Sequence, residues 1–505
     1  SDCIMKNRAL FALFLTFFSM LTQLTQAGNR IFIVKDSLKY CVREYDHGTN
    51  VSVMAVADSV RLPVTEDGTL VIPASLTIEG HTYKVEDIEQ RGFHYHPEIK
   101  HLMLNEGIRF IGERAFESCI NLESIHFPTT LMGLDASAFV NCSMLASIIV
   151  ENGNEMFDSR DSCNALIKTE DNELVLGCWH THIPKGVVTI GQCAFSGQRR
   201  MSGINIPEGV REIGNGAFSD CSGLKHAYLP LSIKGIGNGT FAGCTSLEEL
   251  TVPANVQEIG ERITLGCHNL KRLTVSPDNK TFDSRDSCNA IVRTQENCIV
   301  AGCGSTVIPN SVEKIGEGAF SGSALTRIFI PAGVTQIAET AFNNCNFCSS
   351  IEVAQTNPVY DSRSGCNAII ETATGTLVKG CGMTVFPVGV GKIGDYAFCG
   401  MTMPANYCIP EGVSSIGSHA FTGCNFRSLL LPESLREIGS SAFTFCRHLE
   451  NVEMKSSNIS IGSMAFNYCY SLLSVRLPHH TTYANSLIFQ YSPYQEIHER
   501  EYGKP

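Results

Sequence analysis

One arrangement of apolar and polar positions returns along the chain after about residue 85. Written as a motif, it is Ile-Gly-x-x-Ala-Phe-x-x-Cys-x-x-Leu-x-x-Ile-x-x-Pro, and its clearest copy runs from Ile111 to Pro128. The Phe column falls at residues 93, 116, 139, 195, 218, 241, 264, 320, 342, 398, 421, 443 and 466, with Thr at 264. Neighbouring copies are 22 or 23 residues apart, except for three intervals of 56 residues. Such a fixed period predicts a repeat solenoid rather than several globular domains.

The chemistry of each column predicts how the coils stack. Alternation in the Leu-x-x-Ile-x-Ile/Leu/Phe-Pro segment turns every second side chain inward, which is typical of a β-strand. Each coil of about 23 residues can therefore add one parallel strand, and Pro ends it because Pro cannot donate to the next ladder bond. Ala-Phe supplies one small and one large core residue, so we expect the Phe rings to stack. The predicted fold is a solenoid of the leucine-rich-repeat type with little helix.

Each 56-residue interval carries an insertion, near residues 151–184, 276–309 and 354–387. All three share a Phe/Tyr-Asp-Ser-Arg segment, a Cys, an apolar stretch with turn residues, and a Gly-Cys pair. This pattern predicts a hairpin, which we expect to project from the edge of the solenoid. The two cysteines of each insertion are 15 residues apart, so equal arms would place them opposite one another, either as a disulfide or as free thiols. The candidate pairs are Cys163 with Cys178, Cys288 with Cys303, and Cys366 with Cys381.

The repeat unit resembles the BspA-like leucine-rich repeat family of secreted and surface proteins, common in host-associated bacteria. The resemblance extends over residues 85–478. It implies a binding role: attachment to host matrix proteins, to other microbes or to epithelial surfaces, and no catalysis. It does not name a ligand.

The two ends of the chain lack the motif. Residues 1–27 combine Lys6 and Arg8, a short apolar run and a terminal Ala27, which predicts a secretory signal peptide preceded by upstream residues 1–4. Residues 28–84 contain clustered apolar stretches and predict a β-rich N-terminal cap, whereas residues 479–505 predict a C-terminal cap or tail. No stretch reaches the length of a membrane span. We therefore expect a secreted or cell-surface protein.

Composition and charge exclude some classes of partner. The formal net charge is −12 with no long basic run, which argues against a nucleic-acid partner. Many of the 22 cysteines fall in one repeat column, where a buried free thiol acts as a small apolar residue. We predict no cofactor.

Three groups of residues could suggest chemistry, and each has a plainer interpretation. Cys345-x-x-Cys348 has metal-like spacing, but the second Cys stands where other coils have Leu, and no second pair exists. His180-Thr181-His182 could form a metal or Cys-His site beside Cys178 but is better explained as an exposed loop. The recurring acidic residues Asp158, Asp161, Asp283, Asp286 and Asp361 fit either calcium or Asx turns that open the hairpins. No Gly-x-Ser-x-Gly or His-Glu-x-x-His occurs, so we predict no metal site, no catalytic residue and no enzyme, with an extracellular hydrolase as the weaker alternative.

The outward positions of the predicted strands are the candidate contact residues. Tyr, Arg and Phe among them are typical interface anchors. The candidates are His226, Tyr228, Lys271, Arg272, Arg327, Phe329, Glu453 and Arg476. We expect them to bind extracellular proteins, of the host matrix or of another microbial surface, and the alternative partner is a glycan.

Overall fold

The computed structural model describes residues 26–27, 30–45, 48–55, 61–78, 80–478, 480–485 and 487–497. Most of the predicted signal peptide, residues 1–25, and the end of the predicted tail, residues 498–505, lie outside the described residues. The fold is a β-solenoid of about 17 turns with very little helix, which confirms the predicted fold class. The chain divides into two compact units: unit 1 holds residues 1–224 and 232–240, and unit 2 holds residues 225–231 and 241–505.

Unit 1 begins with antiparallel strands that lead into parallel coils. The first strands are Gln26–Ala27, Arg30–Lys35, Leu38–Tyr45, Gly48–Ala55, Ser75–Ile78 and His81–Ile88. The longer coil strands are Thr69–Ile72, His101–Leu104, Ser124–Phe127, Ser147–Val150 and Gly203–Asn205. The short ones are Phe110–Ile111, Gly133–Leu134, Thr189–Ile190, Glu212–Ile213 and Gly235–Ile236. The first insertion adds Phe157–Asp158, the 3-10 turn Arg160–Ser162, Ala165–Lys168 and Glu173–Gly177.

Unit 2 repeats the coil without an antiparallel start. Its longer strands are His226–Tyr228, Glu249–Val252, Arg272–Val275, Arg327–Ile330, Ser350–Val353, Asn406–Cys408, Ser428–Leu431, Asn451–Met454 and Ser474–Arg476. Its second row is Glu258–Ile259, Lys314–Ile315, Gln336–Ile337, Lys392–Ile393, Ser415–Ile416, Glu437–Ile438, Asn458–Ile461 and His480–Tyr483. The insertions add Phe282–Asp283, Arg285–Ser287, Ala290–Arg293 and Cys298–Gly302, then Tyr360–Asp361, Arg363–Gly365, Ala368–Glu371 and Thr376–Gly380.

Strand register keeps one side chain of each alternating pair in the core. In unit 1, Leu70, Leu102, Ile125 and Ile148 are consecutive partners in a four-stranded parallel sheet, and all four are buried. Because the side-chain period of a strand is two, the residues between them face outward. The residues between the buried positions therefore form the outward face of this sheet.

The Phe column forms the predicted ring stack inside each unit. In unit 1 the rings of Phe93 and Phe116 stack with centroids 5.3 Å apart, and Phe116 and Phe139 follow at 5.1 Å. Further stacked pairs in unit 2 are Phe398 with Phe421, Phe421 with Phe443, and Phe443 with Phe466. Phe489 continues this stack at 5.7 Å from Phe466, so a further coil lies within the segment predicted as tail.

The insertions are part of the coil wall, contrary to the expectation of a projecting hairpin. In the first one, Ala165–Lys168 pairs antiparallel with Glu173–Gly177, which in turn pairs parallel with Thr189–Ile190 of the next coil. Leu166 and Leu174 on the two arms are fully buried. The apolar stretch that predicted a hairpin is long enough to bury both arms, and burial against the neighbouring coil outweighs exposure.

Candidate binding surfaces

The eight predicted contact residues all lie in unit 2: seven lie on strands of three separate sheets, and Lys271 immediately precedes one of these strands. Tyr228, Arg272, Arg327 and Arg476 are exposed, and His226 is half-buried. The sheet register brings some of them together in pairs but does not gather them into one patch.

His226 and Arg272 flank one acidic residue. Glu249 is the register partner of both, and its carboxylate forms an ion pair with Arg272. Lys271 precedes the strand and is exposed, while its carbonyl accepts hydrogen bonds from Asn289 Nδ2 at 2.6 Å and Ser305 Oγ at 2.7 Å. The positive charge of Arg272 is thus already matched within the sheet.

Arg327 and Phe329 line a cleft of about 430 Å³ beside the second insertion. The Arg327 guanidinium carbon lies 6.0 Å from the Phe329 ring centre, and an Arg327 nitrogen lies 2.6 Å from Glu352. Val307, on the opposite segment, is largely exposed, and Phe320 and Phe342 form part of the lining. The remaining lining residues are Gly304, Ser305, Thr306, Ile308, Leu325, Thr326 and Ile328. This cleft suits an apolar side chain, because its one charged lining residue is paired.

The last two predicted residues form a third pair. Glu453 and Arg476 are register partners on adjacent strands, with side-chain atoms 3.4 Å apart. Both side chains are mostly exposed, so the pair contributes little to stability.

An apolar row on unit 1 was missed by the sequence analysis. Val71, Met103, His126 and Ile149 are successive register partners on the outward side of the four-stranded sheet. Val71 is 41% exposed, Met103 45% and Ile149 49%. The sequence does contain a pattern that points to this row, because each of the four strands carries an outward residue at its third position. The first of these strands, however, falls within the predicted N-terminal cap. Val71 and Met103 are direct neighbours, and His126 lies between Met103 and Ile149. Exposed apolar residues grouped on one face in this way mark a candidate interaction site.

The repeat-column cysteines are free, buried thiols that link successive coils. The Cys119 thiol donates to the Phe93 carbonyl at 3.1 Å, and Cys221 donates to Phe195 at 3.0 Å. The same contact recurs at Cys142, Cys267, Cys345, Cys424, Cys446 and Cys469. Burial raises the pKa of Cys119 and of Cys221 to about 12, so these thiols stay protonated and unreactive at neutral pH.

The six insertion cysteines are also free and buried in the structure. Ala165 is the register partner of Gly177, which places Asn164 rather than Cys163 opposite Cys178. Asn164 Nδ2 accordingly lies 3.2 Å from the Cys178 sulfur. The expectation that equal arms bring the two cysteines face to face is therefore wrong by one residue, and the disulfide stays a prediction that the described thiols do not display.

In each insertion, the Asp two residues before an arginine binds that arginine: Asp158, Asp283 and Asp361 do so, whereas Asp161 and Asp286 lie within the 3-10 turns that follow. Arg160 Nε and Nη2 donate to the two oxygens of Asp158 at 2.8 and 2.7 Å, and Arg285 repeats this with Asp283. The Arg160 backbone N–H also donates to Asp158, as in an Asx turn. A carboxylate occupied by a bidentate arginine is poorly suited to calcium, so the turn interpretation fits best.

The other groups with suggestive spacing have structural explanations. Cys345 and Cys348 are both buried and donate to backbone carbonyls of Phe320 and Ser350. His180 and His182 are exposed. Across the described ranges, no group of three His, Cys, Asp or Glu side chains is arranged to hold a metal ion. The helices in that part of the chain are all too short or too polar to cross a bilayer.

Comparisons with known proteins place the repeat in a family. The family described as BspA type leucine-rich repeat region matches residues 75–167, 177–289, 298–369 and 381–497, in six copies. No curated protein matches the chain.

The chain is also similar to several solved structures. A leucine-rich cell surface protein from Faecalibacterium prausnitzii is 20% identical over 92% of this chain and 95% of its own, with a TM-score of 0.35. A leucine-rich repeat protein from Bacteroides ovatus is 22% identical over 91% of each chain, with a TM-score of 0.33. The pneumococcal vaccine antigen PcpA is 17% identical over 93% of this chain and 89% of its own, with a TM-score of 0.32.

The family match covers well over half of the sequence, in the same columns that build the coils. Proteins of this family occur at the cell surface and are typically not enzymes. The chain belongs to the BspA-type leucine-rich repeat family.

Proposed function

We propose that this chain is a non-enzymatic, exported recognition protein that binds an extracellular partner protein through the outward face of its longer strands. The observation that supports it best is the apolar row of unit 1, Val71, Met103, His126 and Ile149. A parallel sheet holds these side chains at a spacing of about 4.8 Å, so the row is a rigid surface that loses little entropy on binding.

The acidic and basic residues around the strands give the surface its selectivity. His126 Nε2 lies 2.7 Å from a Glu151 oxygen at the edge of the row. In unit 2 the predicted contacts Arg272 and Arg327 are paired with glutamates. Within unit 1 a partner would meet apolar side chains beside the His126–Glu151 contact, and within unit 2 it would meet Phe329 beside the Arg327–Glu352 ion pair.

The test measures binding of the full chain to a panel of purified extracellular matrix proteins and purified bacterial surface proteins by surface plasmon resonance. For a partner that binds, Met103→Glu and Ile149→Glu should each weaken binding about tenfold or more, since each puts a charge in the contact. Ile120→Glu is the matched control: Ile120 is also in unit 1 and is 46% exposed, but it lies outside the sheet.

Binding that survives both row substitutions would overturn the assignment of this face. The contribution of unit 2 is tested separately with Arg327→Glu, which sets two carboxylates together, and with the swap of Arg327→Glu and Glu352→Arg, which restores the ion pair. If Arg327 contacts the partner, the swap restores the charge complementarity of the pair but not binding.

A further inference from the structure

Unit 2 carries a second column of stacked rings on its surface, separate from the buried Phe stack. We call Phe445, Tyr468 and Tyr491 the aromatic ridge. Phe445 and Tyr468 have ring centroids 4.7 Å apart and planes within 6°, and Tyr468 and Tyr491 lie 4.7 Å apart within 9°. Phe445 is 40% exposed and Tyr491 is 54% exposed. The ridge therefore presents apolar rings to solvent in three successive coils.

The backbone at these three positions does not favour aromatic residues. Their φ angles are 59°, 56° and 59°, in the left-handed region that is unfavourable for residues with a Cβ. Most other coils have glycine or a small polar residue at this position. The glycines are Gly197, Gly243, Gly266, Gly322, Gly400 and Gly423. Stability of the coil alone thus gives no reason for three consecutive aromatic side chains there.

A cation and a fourth ring lie against the ridge. The Arg447 guanidinium carbon lies 5.9 Å from the ring centres of both Phe445 and Tyr470. Tyr470 is 52% exposed and meets Tyr468 edge to face at 6.1 Å. Throughout the described part of the chain, no carboxylate lies within ion-pair distance of Arg447, whereas Arg272 and Arg327 each have a glutamate.

We propose that the aromatic ridge binds a carbohydrate that contains uronic acid. A pyranose ring has one face of C–H groups, which packs on an exposed aromatic ring, and a rim of hydroxyls, which the tyrosine hydroxyls can meet. Its carboxylate can accept paired hydrogen bonds from the unpaired Arg447 guanidinium. An acidic peptide could pair with the Arg447 charge, but it lacks a flat face of C–H groups that could pack on the four clustered rings. This site involves other residues than the apolar row and so goes beyond the proposed protein-binding function.

The experiment titrates the full chain with hyaluronan fragments, which alternate a uronic acid with an N-acetylhexosamine, and measures binding by calorimetry. Neutral dextran and poly-glutamate are the comparison ligands. We expect hyaluronan binding that weakens as salt is raised, and weaker binding of both comparison ligands. Tyr468→Gly and Arg447→Gln should each lower the affinity about tenfold or more.

Glycine at position 468 removes the ring without straining the backbone, because the left-handed conformation suits glycine. Tyr95→Gly is the matched control: Tyr95 is exposed and also left-handed, with a φ of 59° against 56° at Tyr468, but it lies in unit 1. It should leave hyaluronan binding unchanged. Circular dichroism of each variant shows that the coil is intact.

Absence of hyaluronan binding, or equal affinity in the wild type, Tyr468→Gly and Arg447→Gln, would overturn the proposal. Poly-glutamate binding as tight as hyaluronan would also overturn it, in favour of an acidic protein. Met103→Glu should not change hyaluronan binding, so failure at the ridge and failure of the protein-binding face give different results.

Discussion

At the residue scale, the buried thiols of the repeat column have hydrogen-bond acceptors, whereas Lys379 is one of several buried polar groups that lack a hydrogen-bond partner among the described residues. Eight repeat-column thiols donate to a carbonyl of the preceding coil, which makes cysteine a better choice there than an apolar residue of equal size. Lys379 is different. Its side chain is buried, and its amine has no hydrogen-bond partner among the described residues.

Thiol reactivity should separate exposed from buried cysteines. At pH 8 in the folded protein, iodoacetamide should modify the exposed Cys408 rapidly, whereas Cys119 and Cys221 should react only after unfolding, because burial keeps them protonated. Peptide mass spectrometry measures the rates. Equal rates at Cys119 and Cys408 would contradict the buried column, and a linked Cys163–Cys178 peptide under non-reducing conditions would contradict the free insertion thiols.

Lys379 should make folding stability depend on pH. The Lys379 amine lies near the thiols of Cys345, Cys399, Cys424 and Cys348, and burial lowers its pKa. The unfolded chain then binds the proton more readily than the folded one, so this residue destabilises most at low pH and the penalty fades as pH rises towards 10.5.

Lys379→Met should raise the free energy of unfolding by about 2 kcal/mol at neutral pH, because an unpaired buried amine is replaced by an apolar chain. Denaturant unfolding at several pH values checks this. The advantage over the wild type should shrink as pH rises towards 10, and an advantage that grows with pH would contradict the assignment.

At the element scale, the close packing of each insertion against the next coil requires one glycine. Gly177, Gly302 and Gly380 end the second hairpin strand, and a Cβ at each would overlap the ring of the Phe that follows, Phe195, Phe320 or Phe398. The backbone of Gly302 donates to Ala319 at 2.8 Å. The glycine thus lets the hairpin approach the next coil closely enough to form that hydrogen bond.

Gly302→Ala should therefore cost about 2 kcal/mol or more of folding stability, as overpacking in a core does. Gly391→Ala is the control, since the nearest atom to its added Cβ is a carbonyl at 4.0 Å and its backbone is not left-handed. Melting temperatures measured by calorimetry compare the two. A similar small shift in both variants would show that the approach of the hairpin can relax.

At the scale of the whole molecule, stability is the sum of contacts between neighbouring coils, because each coil touches little else. Phe421 illustrates this: its ring stacks on Phe398 at 4.9 Å and on Phe443 at 5.3 Å. A substitution that removes this ring should destabilise the adjacent coils first. Proteins built this way open locally rather than all at once.

Phe421→Ala should lower local stability by about 3–5 kcal/mol, through lost burial and a cavity. Hydrogen exchange followed by mass spectrometry should show faster exchange in the coils that contain Phe398 and Phe443. Peptides around Phe116 in unit 1 should keep their protection. Uniform loss of protection in both units would contradict nearest-neighbour coupling.

The sequence by itself determined the fold class, the strand positions and the stacked Phe column. The reason is physical: a column repeated every 22 or 23 residues can bury its side chains only by meeting the same column in the next coil. The free, buried state of the column cysteines followed from the same register.

Only the tertiary structure decided which outward residues already have a partner within the chain. Arg272 looked like a free anchor in the sequence, but Glu249 of the preceding coil pairs with it, and such neighbours are known only once the coils are stacked. The burial of the hairpins and the one-residue offset between Cys163 and Cys178 depend on the pairing of strands. The aromatic ridge became visible only in the tertiary structure. Its rings are 23 residues apart in sequence, yet stacking of the coils brings neighbouring ring centroids to within 4.7 Å.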